Sequence, residues 1–215
     1  MQRYRRAAGV AAVLLLILVT ATRSMAENRH KAEERLKADV ARLTPETPEE
    51  EIVRMKPSEV DPSLLPLDSI KDLNVTGIPP DIDIRSWRLH ITGTRVRNET
   101  ALSYGDLLEM GMVRRRVLLI CPGFFADYAE WEGVPLEHLL KTVRARRRYD
   151  SITFVGSDGY SAELTRNELR GKYLFLALRV NGETLPEAHG FPVRLVAEGM
   201  LGGVWVKWVE SMEIN

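Results

Sequence analysis

Asn181-Gly182-Glu183-Thr184-Leu185-Pro186-Glu187-Ala188-His189-Gly190-Phe191-Pro192-Val193-Arg194-Leu195 is the stretch on which the fold of this chain turns. Asn-Gly after an apolar run signals a two-residue hairpin turn, because that turn needs positive φ at both central residues. It ends a strand predicted over Tyr173–Val180. The turn-rich segment that follows carries His189 and opens into a second strand, in which Arg194 sits among apolar neighbours. Val204-Trp205-Val206-Lys207-Trp208-Val209 then embeds a lysine in an aromatic strand in the same way. A cation in a buried strand needs an anionic partner, since an unpaired buried charge is costly. Glu198 or Glu210 would supply a structural ion pair. A bound phosphate would serve equally well, with arginine as a bidentate donor and lysine as a point charge.

Upstream, the chain alternates short strands and short helices. Strands are predicted at Trp87-Arg88-Leu89-His90-Ile91, Arg116 to Ile120, Ser151 to Val155 and Tyr160 to Leu164, the last two around Asp158-Gly159. Pro192 to Ala197 and Val204 to Ile214 complete a strand-rich C-terminal half. Helices are expected at Leu102 to Met110, with Ser103 as N-cap, and at Val134 to Val143, with Pro135 in the first turn. The fold class is therefore α+β, with strands in the majority.

The strand from Arg116 delivers the only cysteine, Cys121, to a Pro122-Gly123 turn. A lone thiol excludes an intrachain disulfide and a structural zinc site built from several thiolates. Three readings of Cys121 stand side by side. It is a small buried hydrophobe; or a nucleophile, with His138 or His189 as base; or a soft-metal ligand. One thiolate does not hold a metal alone, so a cofactor would have to bring the other ligands. Arg114-Arg115-Arg116 precedes it, and Arg144, Arg146, Arg147 and Arg148 form a second basic cluster whose plainest reading is a solvated face.

Thirty basic and 30 acidic side chains in 215 residues give a formal charge of zero, which argues against a nucleic-acid protein held by bulk electrostatics. The total hides three unequal parts. Residues 1–26 read as an export signal or N-terminal anchor. Arg3, Arg5 and Arg6 precede the apolar run Ala7 to Ala21, and Ser24-Met25-Ala26 suits signal peptidase. The run is 15 residues, short of the roughly 20 of a spanning helix. The remainder is thus expected outside the cytoplasm: periplasmic, or on the outer face of the membrane and tethered through residues 7–21. Residues 27–79 hold 8 basic and 12 acidic side chains, with Pro45, Pro48, Pro57, Pro62 and Pro66. They read as a charged helix and a proline-rich linker or strap lying on the domain. Residues 80–215 hold 18 of each sign and form the globular domain.

The ordered set Cys121, Trp131-Glu132-Gly133-Val134-Pro135-Leu136, Asp158-Gly159-Tyr160, Asn181-Gly182, Leu185-Pro186, His189-Gly190-Phe191-Pro192-Val193-Arg194-Leu195, Gly199, Gly202 and Val206-Lys207-Trp208 resembles the molybdopterin-binding domain of the sulfite oxidase family. The resemblance covers about Pro79 to Ile214. It implies an oxidoreductase that carries one molybdenum chelated by a pyranopterin dithiolene and catalyses oxygen-atom transfer on a small-molecule substrate. The pterin would supply two sulfurs and Cys121 the third. Residues matching His189, Arg194 and Lys207 contact the pterin or its phosphate in that family. Tyr160 falls near the family's active-site tyrosine. Leu67 to Gly77 resembles the family's first strand, which brings Asn74 toward the cofactor.

The departures are as specific as the matches. Cys121 is followed by Pro-Gly-Phe-Phe, so no substrate-binding arginine is placed in that loop. Neither an immunoglobulin-like domain after Asn215 nor a haem-attachment CxxCH is present, so no haem is expected. Electrons are expected to leave through a separate partner, a cytochrome or a membrane quinone protein. Arg5-Arg6 suggests twin-arginine export of a folded protein, although Ala7-Ala8-Gly9 and Leu14 to Leu18 are atypical of it. Two other readings remain: a cofactor-free relative acting as an extracytoplasmic binding or assembly module, and a Cys-His hydrolase.

Overall fold

The protein is described from a computed structural model that covers residues 40–215. The predicted export segment and the charged stretch from Glu27 to residue 39 lie outside the described residues. Among the described residues no helix is long and apolar enough to cross a membrane.

Ten strands build two sheets: β1 Leu89–Thr92, β2 Thr100–Leu102, β3 Val113–Cys121, β4 Phe125–Pro135, β5 Ser151–Gly156, β6 Ser161–Thr165, β7 Tyr173–Val180, β8 Glu183–Thr184, β9 Arg194–Glu198 and β10 Val209–Ile214. In the first sheet β3, β4 and β7 are antiparallel neighbours, and β8 and β9 both pair along the far edge of β7. In the second the order is β2-β1-β10-β5-β6, with β1 and β10 parallel and the other pairs antiparallel. Leu89, Ile91, Phe154 and Met212 of the second sheet share one apolar core with Phe175, Leu176 and Leu195 of the first. The mostly-β architecture with short helices is the one the sequence predicts.

The local signals act as their chemistry dictates. Asn181 and Gly182 have φ of 49° and 83°, the left-handed pair a two-residue hairpin demands, and Glu183 pairs back onto Val180. The helix Tyr104–Glu109 starts where Ser103 allows it: the Ser103 hydroxyl accepts from the Asp106 N–H at 3.1 Å, and the Asp106 carboxylate accepts from the Ser103 N–H at 2.8 Å.

One strand went unpredicted and one expectation needs correction. The longest strand, β4, carries no clean period-two alternation. Asp127, Tyr128 and Ala129 are buried in succession, because β4 is central in its sheet and both its faces are covered. The aromatic stretch from Val204 is not a continuous strand. A 3-10 turn spans Gly202–Val204, Trp208 has φ of 52°, and the strand begins only at Val209. Lys207 therefore stands on irregular backbone, which frees it to turn toward a site.

Residues 43–65 lie against the outer face of β3 and β4. Leu43, Ile52 and Val60 bury themselves with Leu118, Ile120 and Tyr128 in a small second apolar cluster. Glu49 accepts from the Ala126 N–H at 3.1 Å, and Val53 O accepts from the Gly123 N–H at 3.1 Å.

Candidate cofactor site

Cys121 ends β3, where the buried run Val117-Leu118-Leu119-Ile120 gives way to a turn closed by the Phe124 N–H on Cys121 O at 3.0 Å. It lines a cavity of about 340 Å³ whose walls include Thr76, Gly77, Tyr160, Trp205, Lys207 and Trp208. Burial, followed by the carboxylate of Asp127, pushes the Cys121 thiol up. The protein by itself thus keeps a thiol, not a thiolate. No histidine lines the cavity: His138 points its Nδ1 at Gly111 O, 3.0 Å away, and His189 is buried in the neighbouring wall. The geometry gives a cysteine hydrolase neither an activated nucleophile nor a base.

The two embedded cations meet beside this cavity. Arg194 is 6% exposed, and its guanidinium carbon lies 5.1 Å from the ring centre of Trp131 and 5.6 Å from that of Trp205. It donates one hydrogen bond, to His189 O at 3.3 Å, and its Nε has no partner. Burial lowers its pKa to about 10, against the pull of Asp127. Lys207 donates to Ala188 O at 2.9 Å and to Thr76 O, with its Nζ 4.8 Å from the Trp208 ring centre. Burial, then the charge of Arg194, lowers it to about 8. Neither candidate counter-ion is in place. Glu198 is held by Arg115 at 2.6 Å, and Glu210 accepts from Ser157 at 2.8 Å.

His189 closes the group. Burial, with Arg194 and Lys207 adding to it, lowers its pKa, so the imidazole is neutral, and its Nδ1 has no partner. Gly190, with φ of 111°, lets the three approach: a Cβ there would stand 3.1 Å from Lys207 Cβ and 3.2 Å from Arg194 Cβ. The strained φ of Trp208 is held by its Nε1 donating to Glu187 O at 2.7 Å. Two buried cations and a neutral histidine, with two unpartnered nitrogens and no paired carboxylate, suit an anionic group bearing its own acceptors.

The other sequence candidates are placed as follows. Tyr160 is half exposed on the cavity wall, its hydroxyl donating to Gly203 O at 2.5 Å. Asn74 has its side-chain amide engaged by Asp127 Oδ1 at 2.8 Å. The first arginine cluster does not serve the thiol: Arg114 pairs with Glu132, Arg115 with Glu198 and Arg116 with Glu130. The second cluster is exposed. Among the described residues no three His, Cys, Asp or Glu side chains come together as a metal cage. A larger cleft of about 390 Å³ beside Ser58, Arg115 and Lys172 has its charges satisfied, Arg115 by Glu198 and Lys172 by Gly199 O.

Sequence reasoning missed Asp127, a carboxylate 3% exposed in the middle of β4. A lone acid among Ala126, Tyr128 and Ala129 was its only signal. It also missed the edge-to-face pair Trp131 and Trp205, both of whose rings lie against Arg194.

The family profile described as the oxidoreductase molybdopterin binding domain matches residues 75–215, well over half of the chain. The chain belongs to the oxidoreductase molybdopterin-binding domain family. Among curated proteins, the chain is 28% identical to mitochondrial sulfite oxidase of Rattus norvegicus over 165 residues, 63% of this chain and 30% of that one. It is 32% identical to inducible nitrate reductase [NADH] 1 of Glycine max over 98 residues, 40% of this chain and 11% of that one. The chain thus spans less than a third of the length of either relative. Among solved structures, the sulfane dehydrogenase SoxCD from Paracoccus pantotrophus shares its fold with a TM-score of 0.58, covering 64% of this chain and 40% of that one at 24% identity. A molybdopterin-binding domain is expected to hold a phosphate-bearing pterin with molybdenum. The unpartnered Arg194 Nε and His189 Nδ1, grouped with Lys207 of the Cys121 cavity wall, fit that group.

Proposed function

We propose that this molybdopterin-binding domain is an extracytoplasmic molybdenum oxidoreductase catalysing oxygen-atom transfer at a metal ligated by Cys121. The observation that carries the reading is the fully buried, incompletely bonded guanidinium of Arg194, which no carboxylate pairs. When bound, the cofactor supplies the two-electron chemistry. Arg194 and Lys207 bind its phosphate, and the neutral His189 donates or accepts a hydrogen bond at Nδ1. Cys121 would hold the metal as a thiolate, against the upward push that burial and Asp127 exert on its pKa. Trp205 and Trp208 exclude water from one wall. Tyr160 places a hydroxyl at the mouth, where a substrate oxygen would meet it. Asn74 fixes the segment that crosses the cavity beside Thr76.

The basic residues and the 15-residue apolar run before residue 26 support export, and a tether through residues 7–21 is part of the same proposal. Electrons pass to or from a separate carrier protein. The test is metal analysis of protein purified from a host that makes the cofactor. About one molybdenum per chain is expected, lost in Cys121→Ala and in Arg194→Ala; metal-free wild-type protein from that host overturns the reading. Fractionation of the same cells should place the protein in the periplasm or on the membrane.

A further inference from the structure

Arginines that the cofactor site does not use gather at one end of the second sheet. The loop from β1 to β2 carries Arg95 and Arg97, and the loop leading into β5 carries Arg144, Arg146, Arg147 and Arg148. Backbone bonds join the two loops into one unit. The N–H groups of Arg97 and Asn98 both donate to Val143 O, at 3.1 and 3.2 Å, and the Arg146 N–H donates to Arg95 O at 2.7 Å. Arg166 joins them just after β6. Its N–H donates to Asp150 O at 2.8 Å, and its guanidinium carbon lies 5.8 Å from the Tyr149 ring centre. Arg144 is held at φ of 50°, a left-handed conformation uncommon outside glycine.

Their pairing sets these arginines apart. Arg85, Arg114, Arg115, Arg116 and Arg179 each have a carboxylate within hydrogen-bond or ion-pair reach. In the patch Arg95 alone has one, Asp150 at 3.6 Å. Arg97, Arg144, Arg146, Arg147, Arg148 and Arg166 are exposed and make no ion pair among the described residues. The acids of the two loops are Glu99 and Asp150, against six arginines. Like charges held together repel, and an anionic surface relieves that repulsion.

The apolar members of both loops turn inward. Val96, Ala145 and Tyr149 pack on the main core, and neither loop contributes to the large apolar side chains exposed among the described residues. A protein–protein interface has an aromatic or apolar centre inside its polar rim. This face presents guanidinium groups without such a centre, and guanidinium matches phosphate oxygens in charge and geometry. A bilayer with anionic headgroups demands no more than that, because each arginine near its surface adds attraction.

The patch and the cavity occupy opposite ends of β5. This strand leaves the patch at Ser151 and ends at Gly156, next to the turn that brings Asp158 and Tyr160 to the cavity wall. At about 3.3 Å per residue the strand holds them roughly 15–20 Å apart. We propose that the arginine face seats this domain on a membrane surface rich in anionic phospholipid, with the Cys121 cavity turned away from the bilayer. The choice of a bilayer rests on the export and tether reading above. The face would then fix the orientation of a domain that a tether alone leaves free to tumble.

The test is cosedimentation of the full-length protein with phosphatidylcholine vesicles, with and without phosphatidylglycerol. Binding at low ionic strength should be at least tenfold tighter to the anionic vesicles, and salt should remove the difference. Arg146→Glu combined with Arg147→Glu should weaken anionic binding fivefold or more. Arg54→Glu combined with Lys71→Glu, the same change of charge on exposed residues elsewhere, should weaken it less than twofold. Arg97→Gln with Arg148→Gln, which removes charge without reversing it, should fall between. In metal-free protein, Cys121 should be alkylated equally fast on and off the vesicles. Equal losses in the patch and control variants, or indifference of the wild type to lipid charge, overturn the inference. Tighter binding to polyglutamate than to anionic vesicles would assign the face to an acidic protein and overturn the lipid surface. Protection of Cys121 by vesicles overturns the orientation. All variants share the N-terminal segment, so these outcomes are independent of the tether, which fractionation of the cells tests by itself.

Discussion

Asn74 gives both its backbone N–H, at 3.1 Å, and its side-chain amide, at 2.8 Å, to the same oxygen of Asp127. This buried carboxylate ties the segment crossing the cavity to the central strand β4, within electrostatic reach of Cys121, Arg194 and Lys207. Removing one of the two donors with Asn74→Ala should cost about 1.5–3 kcal/mol, the range for a hydrogen bond to a charged group. Urea unfolding at neutral pH measures it, and a loss below about 0.5 kcal/mol would mean that the clasp is not closed in solution.

The cofactor-free protein should become more stable as pH rises from about 8 to 10.5. Burial lowers Lys207 to about 8 in the folded state, whereas its ordinary value is 10.5. Between those values the unfolded chain binds more protons, so unfolding becomes less favourable with rising pH. Arg194, lowered to about 10, adds to the slope only above that pH. Denaturation midpoints across this range should rise in wild type and flatten in Lys207→Met; a slope shared by both would assign it to other groups.

Arg194→Met should separate stability from loading. A buried charge without a counter-ion is replaced by an apolar chain against Trp131 and Trp205, so the metal-free protein gains about 1 kcal/mol or stays level. Molybdenum retention should fall at least tenfold. A variant that loses stability and keeps its metal would show Arg194 to be a structural residue.

Thiol-directed alkylation of Cys121 in metal-free protein should be slow at pH 7 and still accelerating near pH 9. The thiol is held up first by burial and then by Asp127. Asp127→Asn removes the second cause and should speed labelling at pH 8. Fast labelling at neutral pH in wild type would point to an unrecognised cation beside the sulfur.

The elements legible in the sequence were those with a local cause. The Asn181-Gly182 hairpin, the Ser103 cap and the Tyr173–Val180 strand each follow from two to eight adjacent residues. Strand β4 was not legible, because a strand covered on both faces loses its alternation and because Gly133 and three acids dilute its apolar run. At the site, Arg194 and Lys207 stood out as charges in apolar company, and the structure brings them together across Gly190. Whether glutamates neutralised them could not be read locally. Glu198 lies four residues from Arg194 but is taken by Arg115, 83 positions away in the chain. Asp127 and the tryptophan pair beside Arg194 escaped for the same reason, since each acts through partners distant in sequence.

The contacts of Glu49 with Ala126 and of Val53 with Gly123 bear on where this molecule can be divided. The family match begins at residue 75, and a piece cut there would keep every residue that lines the cavity. It would nevertheless lose both bonds that grip the 121–126 hairpin tip from outside, along with Leu43, Ile52 and Val60, which roof over Leu118 and Ile120. The thiol would then ride on a loose fingertip, its aim no longer set by the rest of the hand. A piece that keeps this hairpin tip in place has to start before residue 43, upstream of the family boundary, because the acidic, proline-rich stretch is the splint of Cys121.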